Sequence, residues 1–277
     1  MGAPFIKMHG LGNDFVVLDA RETPRLIDPD QARRIGDRHK GVGFDQLILI
    51  EPPRDRAADV FLRFLNTDGS ESGACGNGTR CVASLLMGES GQDSITIETL
   101  NGLLEAETRP DQLVTVDMGI AKLDWREIPL ASACDTNHVP VASGPLSDPV
   151  CVSMGNPHAV FFTPDLAAID LESLGHGLEH HAMFPQRANI GVAQILSRAH
   201  MRLRVWERGV GITLACGSGA CAAMVAASRR GLTERAARIT VDGGGDLHLE
   251  WLPDGHVLMT GPVATSFKGE LPDGWVS

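Results

Sequence analysis

The sequence predicts a fold of the mixed α/β (α+β) class with two pseudo-symmetric domains, each a strongly curved mixed β-sheet or barrel wrapped around one central buried helix. Two observations lead to this prediction. The pattern Ala-Cys-Gly-Asn-Gly at residues 74–78 returns as Ala-Cys-Gly-Ser-Gly at residues 215–219. The segments that follow the two patterns, 81–87 and 221–227, are apolar on every side. A helix without a polar face has to be buried all round.

The repeat extends well beyond the cysteine pattern. Further weak matches occur in the same order in both halves, and a series of this kind indicates an internal duplication. They pair residues 12–13 with 155–156, 62–66 with 203–207, 95–97 with 239–241, and 114–119 with 257–261. We therefore predict an N-terminal domain at 1–120 and a C-terminal domain at 121–263, and we expect residues 264–277 to rejoin the first.

The elements of the first half follow from apolar periodicity and turn signals. Asp28 is a typical N-cap residue and predicts a helix that starts directly after it. Asn101-Gly102 is the strongest short signal for a hairpin turn. The predicted order is strands at 5–8 and 15–19, a helix at 29–40, strands at 46–50 and 60–65, the apolar helix, a hairpin at 95–99 and 103–108, and a strand at 113–118. The second half follows suit, with three glycines at 243–245 in the hairpin position.

Composition and charge exclude several classes of protein. Of the 277 residues 43% are hydrophobic and 21% charged, and apolar runs such as residues 47–50 are far too short to span a bilayer. The net charge is -11 and the basic residues are scattered, which argues against a nucleic-acid partner. The N-terminus resembles no export signal, so we expect a cytoplasmic protein whose 6 cysteines remain thiols.

The two repeated cysteines, Cys75 and Cys216, carry the predicted chemistry. Each lies in a glycine loop directly before a buried helix, where the positive end of the helix dipole favours a thiolate. The exposed N–H groups of the same helix end form a site for a carboxylate. Neither loop has the lysine of a nucleotide-binding P-loop. We interpret the remaining cysteines as small buried hydrophobic residues, namely Cys81, Cys134, Cys151 and Cys221.

Two such sites suit a reaction at a carbon acid. If the halves face each other by pseudo-twofold symmetry, the two sulfurs approach one α-carbon from opposite faces. A thiolate then removes the α-proton, and the opposite thiol returns a proton from the other side. Both helix N-termini stabilise the charge that develops in the carboxylate, so we expect no cofactor and no metal. This reasoning predicts an amino-acid racemase or epimerase.

Longer motifs indicate which kind of racemase or epimerase the chain resembles. They are Lys-Met-His-Gly-Leu-Gly-Asn-Asp-Phe at 7–15, Asp-Arg-His-Lys-Gly-Val-Gly-Phe-Asp-Gln at 37–46, Ser-Met-Gly-Asn-Pro-His at 153–158, Arg-Ala-Asn-Ile-Gly at 187–191 and Thr-Gly-Pro at 260–262. With both cysteine motifs, they make the chain resemble the diaminopimelate epimerase family over nearly its whole length. The resemblance implies two α/β barrels with central helices, a homodimer, and cofactor-independent interconversion of LL- and meso-diaminopimelate in bacterial lysine and peptidoglycan synthesis.

The resemblance also implies roles for single residues. Cys75 and Cys216 would be the catalytic acid and base, with His158 and Glu207 near the reacting centre. The reacting carboxylate would be held by the backbone of Gly76, Asn77, Gly217 and Ser218. The substrate pocket would be lined by Asn13, Gln46, Asn66, Asn156, Asn189 and Arg208. The planar guanidinium of an arginine also suits a distal carboxylate on physical grounds.

The chain departs from the family pattern at two places. Ile212 stands where we expect an acidic residue near the second cysteine loop. Phe267 stands where we expect tyrosine. Neither position is one of the implied catalytic residues, so the departures bear on the electrostatics of the loop and on the dimer contact.

Two other functions are compatible with the cysteine pattern. One is a two-cysteine racemase of another amino acid, such as proline, whose distal pocket should be small and apolar. The other is a non-catalytic amino-acid-binding protein, which would use the helix N-termini without needing thiols. The residues that contact the substrate beyond its α-carbon distinguish a diaminopimelate epimerase from the first alternative. Removal of one cysteine distinguishes it from the second, because a binding protein should keep its affinity for the ligand.

Overall fold

The computed structural model describes residues 2–276, which separate into two compact units. One unit runs to Val116 and takes up the chain again at Gly261, and the other is Asp117–Thr260. The division falls inside the strand Val114–Ile120, a few residues before the boundary predicted from the sequence.

The first unit is a mixed sheet with two helices. Its elements are β1 (Ala3–Gly10), β2 (Asn13–Asp19), α1 (Pro29–Gly36), β3 (Gln46–Glu51), β4 (Val60–Asn66), β5 (Glu71–Ser72), α2 (Gly76–Ser90), β6 (Ser94–Thr99), β7 (Gly102–Thr108) and β8 (Val114–Ile120). β1 and β2 are antiparallel, β2 and β3 parallel, and β3 and β4 antiparallel. β4 then pairs with the short β5 and, in parallel, with β6, and β6, β7 and β8 form an antiparallel meander.

The second unit repeats this sequence of pairings. Its elements are β9 (Ala142–Ser143), β10 (Leu146–Ser147), β11 (Val150–Ser153), β12 (Pro157–Phe162), α3 (Leu171–Glu179), β13 (Asn189–Ser197), β14 (His200–Glu207), β15 (Gly211–Thr213), α4 (Gly217–Arg229), β16 (Ala236–Val241), β17 (Gly245–Trp251) and β18 (His256–Gly261). From β11 to β18 the strands pair antiparallel, parallel, antiparallel, then parallel from β14 to β16, then antiparallel. The predicted internal repeat is therefore confirmed strand by strand.

The last strand, β19 (Ala264–Leu271), lies in the first unit. It pairs antiparallel with β1 over most of its length, from Ala3 opposite Leu271 to His9 opposite Ala264. β1 is thereby covered on both edges, by β19 and by β2.

The helices α2 and α4 are buried inside their units, as the sequence predicts. α2 packs against β1, β2, β6 and β7, and α4 packs against strands from β11 to β17. α4 is buried without interruption from Gly219 to Ala227. In α2, Gly78 permits close packing on the sheet, because an added Cβ would lie 2.9 Å from the side chains of Ile48 and Phe64.

The helix α1 is shorter than predicted. It begins with the predicted Asp28 cap, whose carboxylate accepts a hydrogen bond from the backbone N–H of Gln31 at 2.8 Å. It ends at Gly36 rather than at residue 40, because the Asp37 side chain accepts hydrogen bonds from the backbone N–H groups of His39 and Lys40 at 2.8 and 3.0 Å. An aspartate that bonds its own following backbone favours a turn over a helix.

Both predicted hairpins are present. In the first, Thr99 pairs with Gly102, so the loop consists of Leu100 and Asn101 and the glycine opens the next strand with φ 115°. In the second, Val241 pairs with Gly245 across the predicted glycines. In the part of the chain that the structure describes, no helix combines the length and the apolar character needed to cross a membrane.

Candidate active site

Cys75 is the N-cap residue of α2. Its backbone is extended, with φ -144° and ψ 109°, and its carbonyl oxygen accepts hydrogen bonds from the N–H and the hydroxyl of Thr79 at 2.8 and 2.9 Å. These bonds secure the first helical turn. The N–H groups of a first turn, here beginning with Gly76 and Asn77, point along the helix axis toward the preceding loop. The sulfur and a set of backbone donors therefore share one helix end.

Asn13 connects Cys75 to a carboxylate. The Asn13 Oδ1 atom accepts a hydrogen bond from Asn77 Nδ2 at 3.2 Å and lies 3.8 Å from Cys75 Sγ. The Asn13 Nδ2 atom donates to Asp45 Oδ2 at 2.8 Å. Because a carboxylate only accepts, Asp45 orients the amide so that its oxygen faces the thiol. When Cys75 carries a proton, its S–H group thus has an acceptor in place.

A cluster of opposite charges holds the loop that carries Asn13. Asp14 is bound by Lys7 and by Arg38, whose Nη2 atom lies 2.7 Å from carboxylate oxygens of both Asp14 and Asp45. Burial acts to raise the pKa of Asp14, but the hydrogen bonds from Arg38 and Lys7 outweigh it and lower that pKa to about 2. Asp14 is therefore ionised at neutral pH, and its contacts with Lys7 and Arg38 fix the backbone next to Asn13.

Gln46 and Asn66 lie side by side on neighbouring strands. They are partners in the register of β3 and β4, and Gln46 Nε2 donates to Asn66 Oδ1 at 3.0 Å. Asn66 Nδ2 in turn donates to the Ser70 hydroxyl at 3.0 Å. Both side chains are half-buried at the strand ends, so this pair offers hydrogen-bonding groups at the rim of the sheet.

Cys216 is the N-cap residue of α4 and occupies the position equivalent to Cys75. Its backbone is again extended, with φ -114° and ψ 104°, and Gly217 and Ser218 open the helix. Cys216 Sγ lies 3.7 Å from the Ser218 hydroxyl, which also accepts a hydrogen bond from Asn156 Nδ2 at 3.3 Å. Asn156 therefore lies within two hydrogen bonds of the sulfur.

His158 extends this chain of contacts. Its Nε2 atom lies 2.9 Å from Asn156 Oδ1, an acceptor, so Nε2 carries the hydrogen in this contact. His158 is only 1% exposed. Burial, followed by the charge of Arg208, lowers the pKa of His158 to about 3. The imidazole is thus neutral and serves as a hydrogen-bond donor rather than as a charged group.

Glu207 acts directly on Cys216. It is the last residue of β14, where its carboxylate accepts a hydrogen bond from the Thr213 hydroxyl on the adjacent β15. Burial raises the pKa of the Cys216 thiol well above its ordinary value, and the negative charge of Glu207 raises it further. The sequence predicts a lowered pKa from the helix dipole. For Cys216 this prediction is wrong, because burial and a neighbouring carboxylate outweigh the helix end.

Asn189 and Arg208 lie together beyond His158. Asn189 Nδ2 donates to the Pro157 carbonyl at 3.0 Å, and Asn189 Oδ1 accepts from the Arg208 backbone N–H at 2.9 Å. The Arg208 guanidinium donates to the Gln186 carbonyl at 2.9 Å and is exposed. A guanidinium has five N–H donors, so it can bind a further acceptor beside the Gln186 carbonyl, and a carboxylate is the natural one.

Each unit therefore gathers its own share of the candidate residues around its cysteine. The first unit brings together Asn13, Gln46, Asn66, Cys75, Gly76 and Asn77. The second unit brings together Asn156, His158, Asn189, Glu207, Arg208, Cys216, Gly217 and Ser218. The two departures lie on the surface, with Ile212 47% and Phe267 50% exposed, and Phe267 makes an edge-on contact with Phe5 at 6.0 Å between ring centroids.

Sequence reasoning missed the residues that orient this site. Asp45, Thr213 and Glu179 each bond a candidate residue or the backbone beside it. Asp45 stands inside the 37–46 motif next to Gln46, which was the available signal. Thr213 and Glu179 carry no such signal, since their partners come together only through the pairing of β14 with β15 and the packing of α3. Across residues 2–276 no cluster of three or more His, Cys, Asp or Glu side chains is arranged to hold a metal ion.

Solved structures first define the class of fold. The chain is similar to a phenazine biosynthesis protein of the PhzF family from Enterococcus faecalis, with a TM-score of 0.70, 14% identity, and coverage of 98% of this chain and 100% of that one. It is also similar to a probable proline racemase from Agrobacterium radiobacter, with a TM-score of 0.70, 17% identity, and coverage of 98% and 93%. At these identities the similarity shows the shared two-part α/β fold.

Closer relatives define the family. The family model described as diaminopimelate epimerase matches residues 5–123 and 150–266. A diaminopimelate epimerase from Rhodospirillum centenum is 64% identical over 269 residues, which are 97% of this chain and 92% of the relative. One from Acidiphilium cryptum is 60% identical over 268 residues, 97% of this chain and 96% of the relative. The chain belongs to the diaminopimelate epimerase family.

Proposed function

We propose that this protein epimerises diaminopimelate at one α-carbon, converting the LL isomer to the meso isomer without an organic cofactor, in lysine and peptidoglycan synthesis. One observation carries the proposal. Two cysteines occupy the N-cap positions of two buried helices at equivalent places in a repeated fold. Family membership supports diaminopimelate as the substrate.

The proposed reaction moves one proton between two sulfurs and one carbon. A thiolate removes the α-proton, so that the C–H bond breaks, an S–H bond forms, and the electron pair passes into the α-carboxylate. The second thiol then gives its proton to the opposite face of the carbon and becomes the thiolate. The enzyme finishes with the two protonation states exchanged between Cys75 and Cys216, and the reverse reaction restores them.

The helix ends serve the carboxylate in this proposal. The backbone N–H groups at Gly76, Asn77, Gly217 and Ser218 are the donors we assign to the reacting carboxylate. Residues 76–79 and 217–220 contain no acid, so no side chain of the first turn competes with the substrate for the positive helix end. Donors that are already oriented stabilise the negative charge that develops on proton removal.

The resting proton is assigned to Cys216. Burial and Glu207 raise the pKa of its thiol, which favours the protonated form at neutral pH. We therefore infer that Cys216 holds a proton in the resting enzyme and is ready to donate it once Cys75 has taken the α-proton. Glu207 accepts a hydrogen bond from the thiol in that state. The neutral His158 with Asn156 holds the Ser218 hydroxyl near the same sulfur.

The distal end of the substrate is assigned to polar residues outside the cysteine loops. Arg208 has the guanidinium that suits a second carboxylate, and Asn66 and Asn189 supply amides for an ammonium group. Polar and charged side chains of this kind differ from the small apolar lining that a proline racemase needs. We further propose a homodimer, which the resemblance to the family implies, and a cytoplasmic location.

The test is proton NMR of the reduced protein with LL-diaminopimelate in deuterium oxide, beside parallel samples with proline, glutamate and lysine. We expect the α-proton signal to disappear and the meso isomer to form only with diaminopimelate. Exchange only with another amino acid would refute the substrate and retain the two-thiol reaction.

C75A and C216A should each abolish formation of the meso isomer, with C134A as the matched control that retains it. Binding of diaminopimelate without exchange in the wild type would favour the amino-acid-binding alternative.

A further inference from the structure

A buried carboxylate outside the proposed set of site residues holds the chain on both sides of Arg208. Glu179 is the last residue of α3 and is only 2% exposed. Among the buried side chains of residues 2–276 it is the only acidic one. Burial of a carboxylate is costly unless hydrogen-bond donors satisfy it. The donors that bond Glu179 therefore show which part of the chain it holds in place.

Both oxygens of Glu179 accept hydrogen bonds from the segment that contains Arg208. Oε2 accepts from the Trp206 indole Nε1 at 2.8 Å, and Oε1 accepts from the backbone N–H of Gly209 at 3.0 Å. The Arg187 guanidinium lies 3.7 Å from the same Oε1 atom. The two hydrogen bonds thus fall on either side of residues 207 and 208, which are the two site residues of this strand end.

Two glycines make this arrangement sterically feasible. A Cβ at Gly175 in α3 would lie 2.3 Å from the Trp206 ring, so only glycine allows the indole to lie against the helix and reach its end. Gly209 has φ 77°, a left-handed conformation in which glycine is favoured, and this turns its N–H toward Glu179. Gly175, Trp206 and Gly209 therefore each have the residue type that the contacts with Glu179 require.

We propose that Glu179 is a positioning residue that sets the orientation of Arg208 for the distal carboxylate of the substrate. Arg208 bonds Asn189 through its backbone and Gln186 through its guanidinium. Glu179 adds hydrogen bonds from the end of α3 to Trp206 and Gly209, on both sides of Arg208. This inference rests on the proposed function, because it assumes that Arg208 binds the substrate.

The decisive variant is E179Q. Glutamine has the same shape, but its amide has one acceptor and one donor side. In either orientation its NH₂ group faces another N–H donor, so one of the two contacts is lost. We expect the KM for LL-diaminopimelate to rise about tenfold with a much smaller change in kcat, the signature of weakened binding. E172Q, an exposed glutamate on the same helix, is the matched control and should behave like the wild type.

A double variant separates positioning from a general effect on folding. If Glu179 acts through Arg208, E179Q should add little to the KM of R208A, because the group that it orients is gone. An effect of E179Q that adds in full to that of R208A would overturn the proposal, as would a wild-type KM in the single variant.

If E179Q does not fold by circular dichroism, W206F removes one of the two donors and keeps a ring of similar kind. It should raise KM in the same direction, and an unchanged KM would count against the proposal.

The wild-type enzyme in the same assay keeps the two proposals apart. Turnover of diaminopimelate by the wild type with an unchanged KM in E179Q would refute the role of Glu179 and leave the proposed function standing. An absence of turnover in the wild type, with its thiols reduced, would refute both.

Discussion

The buried neutral His158 makes the protein sensitive to acid by an amount that follows from the structure. A histidine ordinarily has a pKa of 6.5, and burial with the nearby Arg208 lowers the pKa of His158 to about 3. Below pH 6.5 the unfolded chain therefore binds a proton that the folded protein excludes. The stability is fully present above pH 6.5 and is lost as the pH falls toward the lowered pKa.

The magnitude follows from the size of the shift. One pKa unit corresponds to about 1.4 kcal/mol, so lowering the pH from about 6.5 to about 4.5 removes about 2 to 3 kcal/mol through this residue alone. The perturbation is H158Q. Glutamine keeps an N–H donor near the Nε2 position for Asn156 Oδ1 but does not titrate, so the variant should lose about 2 to 3 kcal/mol less than the wild type over that interval.

The assay is urea unfolding at a series of pH values, followed by circular dichroism. The compared quantity is the change in the free energy of unfolding with pH, not its absolute value, because the substitution also alters packing. H39Q, at an exposed histidine, is the control and should follow the wild-type profile. Equal losses for H158Q and the wild type would refute the reasoning that His158 is held neutral in the folded protein.

Three further predictions concern the carboxylate beside Cys216 and two glycines of the helix α2. E207Q removes the negative charge beside Cys216 and should lower the pKa of its thiol, which raises the alkylation rate of that residue near neutral pH; peptide mass spectrometry measures the rate, and an unchanged pH profile would contradict the assignment. G78A should destabilise the first unit by about 1 to 3 kcal/mol, because its Cβ would contact two side chains of the sheet. G88A, with open space around it in the same helix, should instead stabilise by about 0.5 to 1 kcal/mol, and thermal unfolding of both variants decides this.

The sequence predicts the fold well where a local pattern determines the structure. The repeated cysteine loops and the apolar segments behind them place α2 and α4 correctly, and the repeat foretells that β11 to β18 pair as β1 to β8 do. The end of α1 was missed because Asp37 bonds the following backbone, a competition that periodicity does not reveal. Arg80 was missed as a core residue, since it lies fully buried in a helix whose apolar run begins only after it.

In the candidate site, too, local features could be predicted from the sequence and features that depend on packing could not. Cys75 and Cys216 stand out from the sequence because their position before a helix is itself a local feature. The pKa of the Cys216 thiol could not be predicted, because it depends on burial and on a carboxylate at the end of another strand. The role of Glu179 was equally hidden, since it results from the packing of α3 against the segment after β14.

The position of β19 has a consequence for biosynthesis. The first unit takes its outer strand from residues that follow the whole of the second unit in the sequence, whereas the second unit is one continuous segment. A ribosome that has made the first 116 residues has therefore produced a sheet whose β1 still has an open edge, and unpaired edges invite association with other chains. The second unit can complete its pairings earlier than the first, although its residues are made later. Loss of the final strand from a truncated product would leave that edge of β1 unpaired, so β19 closes an edge at which other chains could otherwise pair.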